Sequence, residues 1–339
     1  MRIKSALRKP PKIDICRFLA KKQLEKILST RNDIIAAYSD GSVARNDMVP
    51  GSDIDIGIVV KNPKEPKNVY RIIEKKNDIL IEWAFIPKEN YTLNNILSNA
   101  GFTHDIVNAF VYYDSEGFFE NIKKEVLKNY KLKDGIIKRA ANQLSLMKNL
   151  LTEIEAGDKK LIYKNTASFI KFSLGFPSAL LNKPVTNSRG FIFCEDACKK
   201  LKMMEYRDLI LEFLGSLNIT KIDAKRFLGN ARKIMKSGKL NNNESITYLY
   251  HLNTAEYLIE TGFWREAIWP IFMWTSYVVY ELEQRKGKDE IDIRKLWNEM
   301  LRIIEWKDSN DINKKIDSGK KMLKLGFKVL KTNTSLQSF

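Results

Sequence analysis

Ala36-Ala37-Tyr38-Ser39-Asp40-Gly41-Ser42-Val43-Ala44-Arg45, then Gly51-Ser52-Asp53-Ile54-Asp55-Ile56 and later Ile81-Glu82-Trp83, are the residues that speak most directly to the fold. They lie in or beside three runs rich in β-branched and aromatic residues: 34–39 (IIAAYS), 53–60 (DIDIGIVV) and 79–86 (ILIEWAFI). Each run reads as a strand, with Gly41, Pro50, Gly51, Pro63 and Pro66 punctuating the loops between them. Successive strand side chains point to opposite faces, so Asp53 and Asp55 share a face while Ile54 and Ile56 enter the core. Two carboxylates this close repel each other unless a cation sits between them. Hard oxygen ligands suit Mg²⁺, which keeps several waters and takes further ligands from substrate phosphates. Glu82, in the neighbouring run, would add a third carboxylate, enough to hold one or two ions. Gly41-Ser42 follows the first run, where a turn can present amides and a hydroxyl to a phosphate. Arg45 lies one helical turn further on and could reach the same anion.

Outside this segment, residues 13–29 (IDICRFLAKKQLEKILS) place Ile15, Phe18, Leu19, Leu24, Ile27 and Leu28 at helical spacing, which predicts an amphipathic helix. Residues 68–76 (NVYRIIEKK), between the second and third runs, also read as a helix. From about residue 119 the pattern is helical almost throughout, with breaks near Gly157, Gly175 to Pro177, Asn182 to Pro184, Gly215 and Asn241 to Asn243. Five of the six tryptophans follow residue 243, which marks a separate unit there.

The chain has 339 residues, 44% hydrophobic and 29% charged. Such a composition excludes collagen, low-complexity and disulfide-framework classes, and the length favours more than one domain. Three cysteines, Cys16, Cys194 and Cys198, are too few for a framework, and an odd number fits a reduced cytoplasm. The basic N-terminus lacks the apolar core of a secretory signal. Residues 267–280, about 14 in number, are too short to span a bilayer and predict a buried helix. No membrane association is expected.

The net charge of +17 is unevenly spread. Residues 1–26 carry +7, residues 27–118 carry −4 and the remainder +14, so an acidic island lies between basic flanks. Other chemistries find little support. His104 and His251 are the only histidines, and the P-loop, dinucleotide-binding and C-x-x-C patterns are absent.

A Gly-Ser pair, twelve residues on to D-I-D-I, and a later apolar-Glu-apolar run together resemble the DNA polymerase β-type nucleotidyltransferase superfamily. Within it, residues 41–56 (GSVARNDMVPGSDIDI) are similar to the kanamycin (aminoglycoside 4′) nucleotidyltransferase family, including an Arg four after the Gly. The stretch from Thr103-His104 to Tyr113-Asp114-Ser115-Glu116-Gly117-Phe118 is similar too. The resemblance covers about residues 30 to 120. It implies an α+β chain: a nucleotidyltransferase domain over 1–120, with a short mixed sheet and helices on one face, then a large all-α region. That region would hold a helical substrate domain at 121–240. The last hundred residues have no counterpart in the resemblance, and the tryptophan-rich composition there predicts an additional helical domain at 241–339.

The resemblance also implies a reaction, in which a hydroxyl attacks the α-phosphate of a nucleoside triphosphate, first of all ATP, and pyrophosphate leaves. Asp53, Asp55 and Glu82 would be catalytic and hold Mg²⁺, and Gly41, Ser42, Arg45 and Ser52 would hold the nucleotide. The family's catalytic Glu, with Lys four residues later, falls without gaps near Ser145 or Lys148. Glu155 and Lys159 restore the pair after an insertion, and Glu153 is equally near. Asp40 departs from the superfamily, which has an aromatic or small apolar residue there. Three readings of the acceptor stay open: an aminoglycoside-like small molecule, RNA, or a regulatory, toxin–antitoxin-type helical interaction protein. The related enzymes are dimers, so a homodimer is expected.

Overall fold

The structure, a computed structural model, describes residues 9–61, 69–74, 79–157, 161–237, 242–284, 290–306 and 308–335. Pro63, Pro66 and Lys159 lie outside the described residues, as do positions 238–241 at the break expected near Asn241. Two compact units divide the chain, Met1–Gly135 and Ile136–Phe339.

In chain order, the first unit contains α1 (Ile13–Leu28), β1 (Ile34–Ser39), α2 (Gly41–Arg45), β2 (Ile54–Val60), β3 (Val69–Glu74), β4 (Ile79–Pro87), α3 (Leu93–Ser98), α4 (Ala100–Asn108), β5 (Phe110–Asp114) and α5 (Phe118–Tyr130). The sheet order is β3-β4-β2-β1-β5. It is mixed: β2 and β4 run parallel, and every other pair is antiparallel. The α+β class expected of this region holds.

All six residues of β1 are buried, and a continuous apolar run of this kind belongs to a strand covered on both faces. Cys16, Leu19, Ala20 and Leu24 of α1 pack with Ile54, Ile56, Ile58 and Val60 on one face. Ile96, Ile106, Phe119 and Val126, from α3, α4 and α5, pack with Ala36, Tyr38 and Val59 on the other. Helices therefore cover both faces, and the expectation of a single covered face is corrected. Each of these fully buried isoleucines stabilises the fold by about 1.5–3 kcal/mol. The stripe that α1 buries is shifted from the one expected, since Ile15 and Phe18 face solvent.

Residues 69–74, expected to be helical, form edge strand β3, with Val69 opposite Ala84 and Glu74 opposite Ile79. Val69, Ile72 and Ile73 satisfy helical spacing as well as strand preference. The open edge of β4 decides the matter, because pairing there gives both backbones their hydrogen bonds. β5, not foreseen as a strand, closes the other edge against β1.

Leading into the second unit, α6 (Lys133–Glu155) is followed by α7 (Ile162–Leu180), α8 (Gly190–Lys200), α9 (Met204–Leu214), α10 (Lys221–Ser237), α11 (Asn242–Glu260), α12 (Ile268–Gln284), α13 (Glu290–Ile303) and α14 (Ser309–Ser335). The core of this unit is aromatic, with Phe169, Phe213, Phe272, Trp269 and Trp306 fully enclosed. Gly215, at φ 82°, ends α9, and its neighbour Ser216 donates its N–H back to the Leu211 carbonyl at 2.8 Å. Gly319 and Gly326 let α14 lie close to its neighbours. A Cβ at 319 would fall 2.9 Å from Leu151 Cδ1, and one at 326 would fall 2.6 Å from Leu144 Cδ2. Cys194 and Cys198, four apart on α8, are fully buried core residues as expected. No helix among the described residues is long and apolar enough to cross a membrane.

Candidate active site

Parallel pairing of β2 with β4 sets Asp55 opposite Glu82. Asp53 lies just before β2, on the face that Asp55 shares, while Ile54 and Ile56 are buried in the core on the other. Carboxylate oxygens of Asp53 and Glu82 lie within 4.8 Å of each other. Strand alternation and strand pairing thus bring together the three acids expected to hold a metal.

The turn after β1 borders the same group. Pairing of Ser39 with Ile56 delivers the end of β1 beside β2, and Asp40 donates its backbone N–H to the Asp55 carbonyl at 3.3 Å. Gly41 has φ 60°, and a Cβ there would fall 2.7 Å from Asp55 Oδ2. Glycine is required twice over, by backbone conformation and by the carboxylate against it. The next residue, Ser42, has its hydroxyl buried with no hydrogen-bond partner among the described residues. Buried hydroxyls are ordinarily satisfied, and an orphan beside the acid group fits a site that offers a donor to a further polar group.

The electrostatics agree. Asp55 keeps part of its surface in solvent, yet its carboxyl is held well above the usual carboxylate range. Burial is the largest cause, followed by the charges of Asp53, Asp40, Glu82 and Asp105. Five carboxyl groups converge from the end of β1, β2 and its approach, β4 and α4. Such a donor set fits a hard divalent cation.

Neighbouring packing fixes the frame. Tyr38 lies across Gly57, where a Cβ would meet its ring at 2.4 Å, and stacks on Phe119 with ring centroids 4.3 Å apart. Its hydroxyl shares a 2.9 Å hydrogen bond with that of Tyr91. Burial, and after it the nearby Tyr91 and Asp40, push the Tyr38 phenol well above 10, so it remains neutral. On α4, Thr103 donates to the Asn99 carbonyl at 2.8 Å, and His104 Nδ1 lies 3.0 Å from the Tyr130 hydroxyl. These buried anchors hold the turn of α4 that carries Asp105.

Other expected residues occupy different surroundings. Arg45 ends α2 and pairs with Asp47 at 3.1 Å. The Ser52 hydroxyl accepts the Val49 N–H at 2.9 Å and pins the loop leading into β2. Glu155 is the exposed last residue of α6, in the second unit, and pairs with Lys320 at 2.6 Å. Asp40 and Asp105 were not anticipated as part of the acid group. Asp40 was visible as a departure from the superfamily pattern, whereas Asp105, on a helix fifty residues beyond Asp55, gave no local signal.

Residues 21–113 match the nucleotidyltransferase domain family, a span that holds all five acids of the group around Asp55. A domain of this family supports nucleotidyl transfer as the general function. No curated protein sequence matches the chain significantly. Among solved structures, a nucleotidyltransferase-like protein from Exiguobacterium sibiricum 255-15 aligns over 84% of this chain and 79% of its own, at 8% identity and a TM-score of 0.30. Likeness at that level carries no argument about either fold or function.

Proposed function

We propose that the protein is a metal-dependent nucleotidyltransferase that moves a nucleoside monophosphate, first of all AMP from ATP, onto a hydroxyl acceptor. The observation that carries this reading is the contact of Gly41 with Asp55, which makes the turn after β1 and the carboxylates of β2 and β4 one site. Asp53, Asp55 and Glu82 would hold Mg²⁺, one or two ions. The metal would supply charge neutralisation for the phosphate oxygens. The Ser42 hydroxyl would donate to a phosphate oxygen, and Gly41 would leave room for the triphosphate to approach. The acceptor oxygen bonds to the α-phosphorus, the bond to the bridging oxygen breaks, and pyrophosphate leaves. Glu82 would take the hydroxyl proton, and Glu153 and Glu155 are the other candidates for that role.

An aminoglycoside-like acceptor is the first choice. Asp40 and Asp105 exceed what the cation needs, and their charge would attract a cationic small molecule. RNA is the second reading, favoured by an unpaired lysine ridge on α14 described below. The test offers Mg²⁺ and each α-labelled NTP together with aminoglycosides in one arm and total tRNA in another. Label on the small molecule supports the first reading, label on RNA the second, and label on neither overturns both. Calorimetric titration with Mg²⁺ gives a readout independent of turnover, in which Asp53→Asn and Asp55→Asn should lose binding.

A further inference from the structure

The surface of α14 that turns away from the core carries a ridge of lysines. The helix holds seven lysines against two aspartates. Its inner face is set by Ile316, Met322, Leu323 and the two glycines that approach Leu144 and Leu151. At about 100° per residue, Lys314, Lys321, Lys324 and Lys328 then fall within one arc on the exposed side, and Lys314 to Lys328 spans about 21 Å of helix axis. Asp317 shares that arc and leaves it net positive.

These four ammonium groups have no acidic partner among the described residues. Some exposed lysines of the unit meet acids: Lys199 pairs with Glu195 at 2.5 Å, Lys225 with Glu260 at 2.8 Å, and Lys320, on the flank of α14, with Glu155 at 2.6 Å. Lys148, Lys202, Lys236 and Lys295 are exposed without an acidic partner among the described residues but are scattered over different parts of the unit, whereas the four of α14 share one arc. Uncompensated positive charge in a straight row is the electrostatic complement of a phosphate backbone. A lipid surface fits less well, because a helix that binds one inserts a broad apolar face, and among the large apolar side chains of α14 only Phe327 is exposed.

We propose that the α14 ridge docks single-stranded RNA through its phosphates, without reading its sequence. A flexible strand can lay successive phosphates along a straight row, whereas the phosphates of a duplex curve away from it. Exposed Asn310 and Asn313, in the same arc at its N-terminal end, offer amides to the 2′-hydroxyl that distinguishes RNA from DNA. The docking does not depend on nucleotidyl transfer and is measured without any triphosphate.

The test follows anisotropy of a labelled, unstructured RNA of about twenty nucleotides as salt is raised from about 50 to 200 mM. Four phosphate contacts give a log–log salt slope near −3, so the ridge accounts for a roughly 50- to 65-fold fall in affinity over that range. A variant combining Lys314→Gln, Lys321→Gln, Lys324→Gln and Lys328→Gln should lose that component, its slope shrinking by about 3. A control combining Lys199→Gln, Lys200→Gln, Lys221→Gln and Lys225→Gln removes the same charge and should keep the slope. Circular dichroism checks that both stay helical. Equal losses in the two variants would show generic charge attraction and overturn the proposal. So would equal or tighter binding to the DNA of the same sequence, or binding to phosphatidylserine vesicles in place of RNA.

Discussion

The acid group of the first unit and the lysine ridge of α14 both crowd like charges, under opposite physical conditions. Around Asp55 the charges are partly buried, their repulsion is poorly screened, and the carboxyl is pushed well above its ordinary range. On α14 the charges stand in solvent, where water and salt screen them at small cost to stability. A buried cluster of this kind is tolerable only with a partner for its charge. An exposed row is tolerable alone and attracts its partner from a distance. Specific chemistry is accordingly expected at the first and salt-sensitive docking at the second.

The strongest way to break this contrast is to neutralise the acids. Asp53→Asn or Asp55→Asn should lower nucleotidyl transfer by at least about 10³-fold, on the order of 4 kcal/mol of barrier, with the melting temperature kept or raised. Turnover within tenfold of wild type would remove the site assignment. Gly41→Ala comes next. It forces a side chain into a left-handed backbone position and against Asp55 Oδ2, so turnover should fall about 100-fold, with a loss of stability above about 1 kcal/mol in thermal melts. Ser42→Ala sharpens the comparison at a lower level. Removing a buried hydroxyl that has no protein partner should leave the melting temperature unchanged. The KM for the triphosphate should nevertheless rise about tenfold, and an unchanged KM would leave the hydroxyl without a role.

A smaller effect concerns pH. Folding raises the Asp55 pKa, so the folded chain binds that proton more tightly than the unfolded chain does. Stability from this group is lost as pH rises from the ordinary carboxylate range, about 4, towards the raised value. In EDTA, the melting temperature of Asp55→Asn relative to wild type should therefore climb with pH across that window, and saturating Mg²⁺ should cancel the climb. Parallel curves in EDTA would show that the acids do not burden the fold. The smallest effect is expected at Glu155, whose carboxylate serves Lys320. Glu155→Gln should leave turnover within about twofold, worth less than about 0.5 kcal/mol of barrier, and a large loss would make Glu155 the base instead of Glu82.

Much of the first unit was legible because its strands are short, strongly β-branched and interrupted by glycine and proline. Asp53 and Asp55 could be placed on one face from the period of two alone, whereas setting Glu82 beside them took the register of β2 with β4. β3 misled because Val69, Ile72 and Ile73 suit either period, and only the open edge of β4 chooses between them. β5 hid within an aromatic run too short to show alternation. Asp105 needed tertiary knowledge, since α4 reaches Asp55 across fifty residues of chain. The α14 ridge was obscured for another reason. Charge totals do not distinguish lysines already paired with acids from those left unpaired, and only the folded helix separates the two.

The pairing of β1 with both β2 and β5 has a consequence for how the unit assembles. Ser39, the residue before the acid-bearing turn, is opposite Ile56 on one side and Phe110 on the other. The second of these partners lies seventy-one positions away, so closing that edge requires a long-range loop and comes late relative to local hairpins. During synthesis, the strand that leads into the turn stays half-paired until β5 has left the ribosome. Asp53, Asp55 and Glu82 take their spacing from β2 and β4, but the strand that leads into the turn beside them gains its second partner only when the sheet is finished.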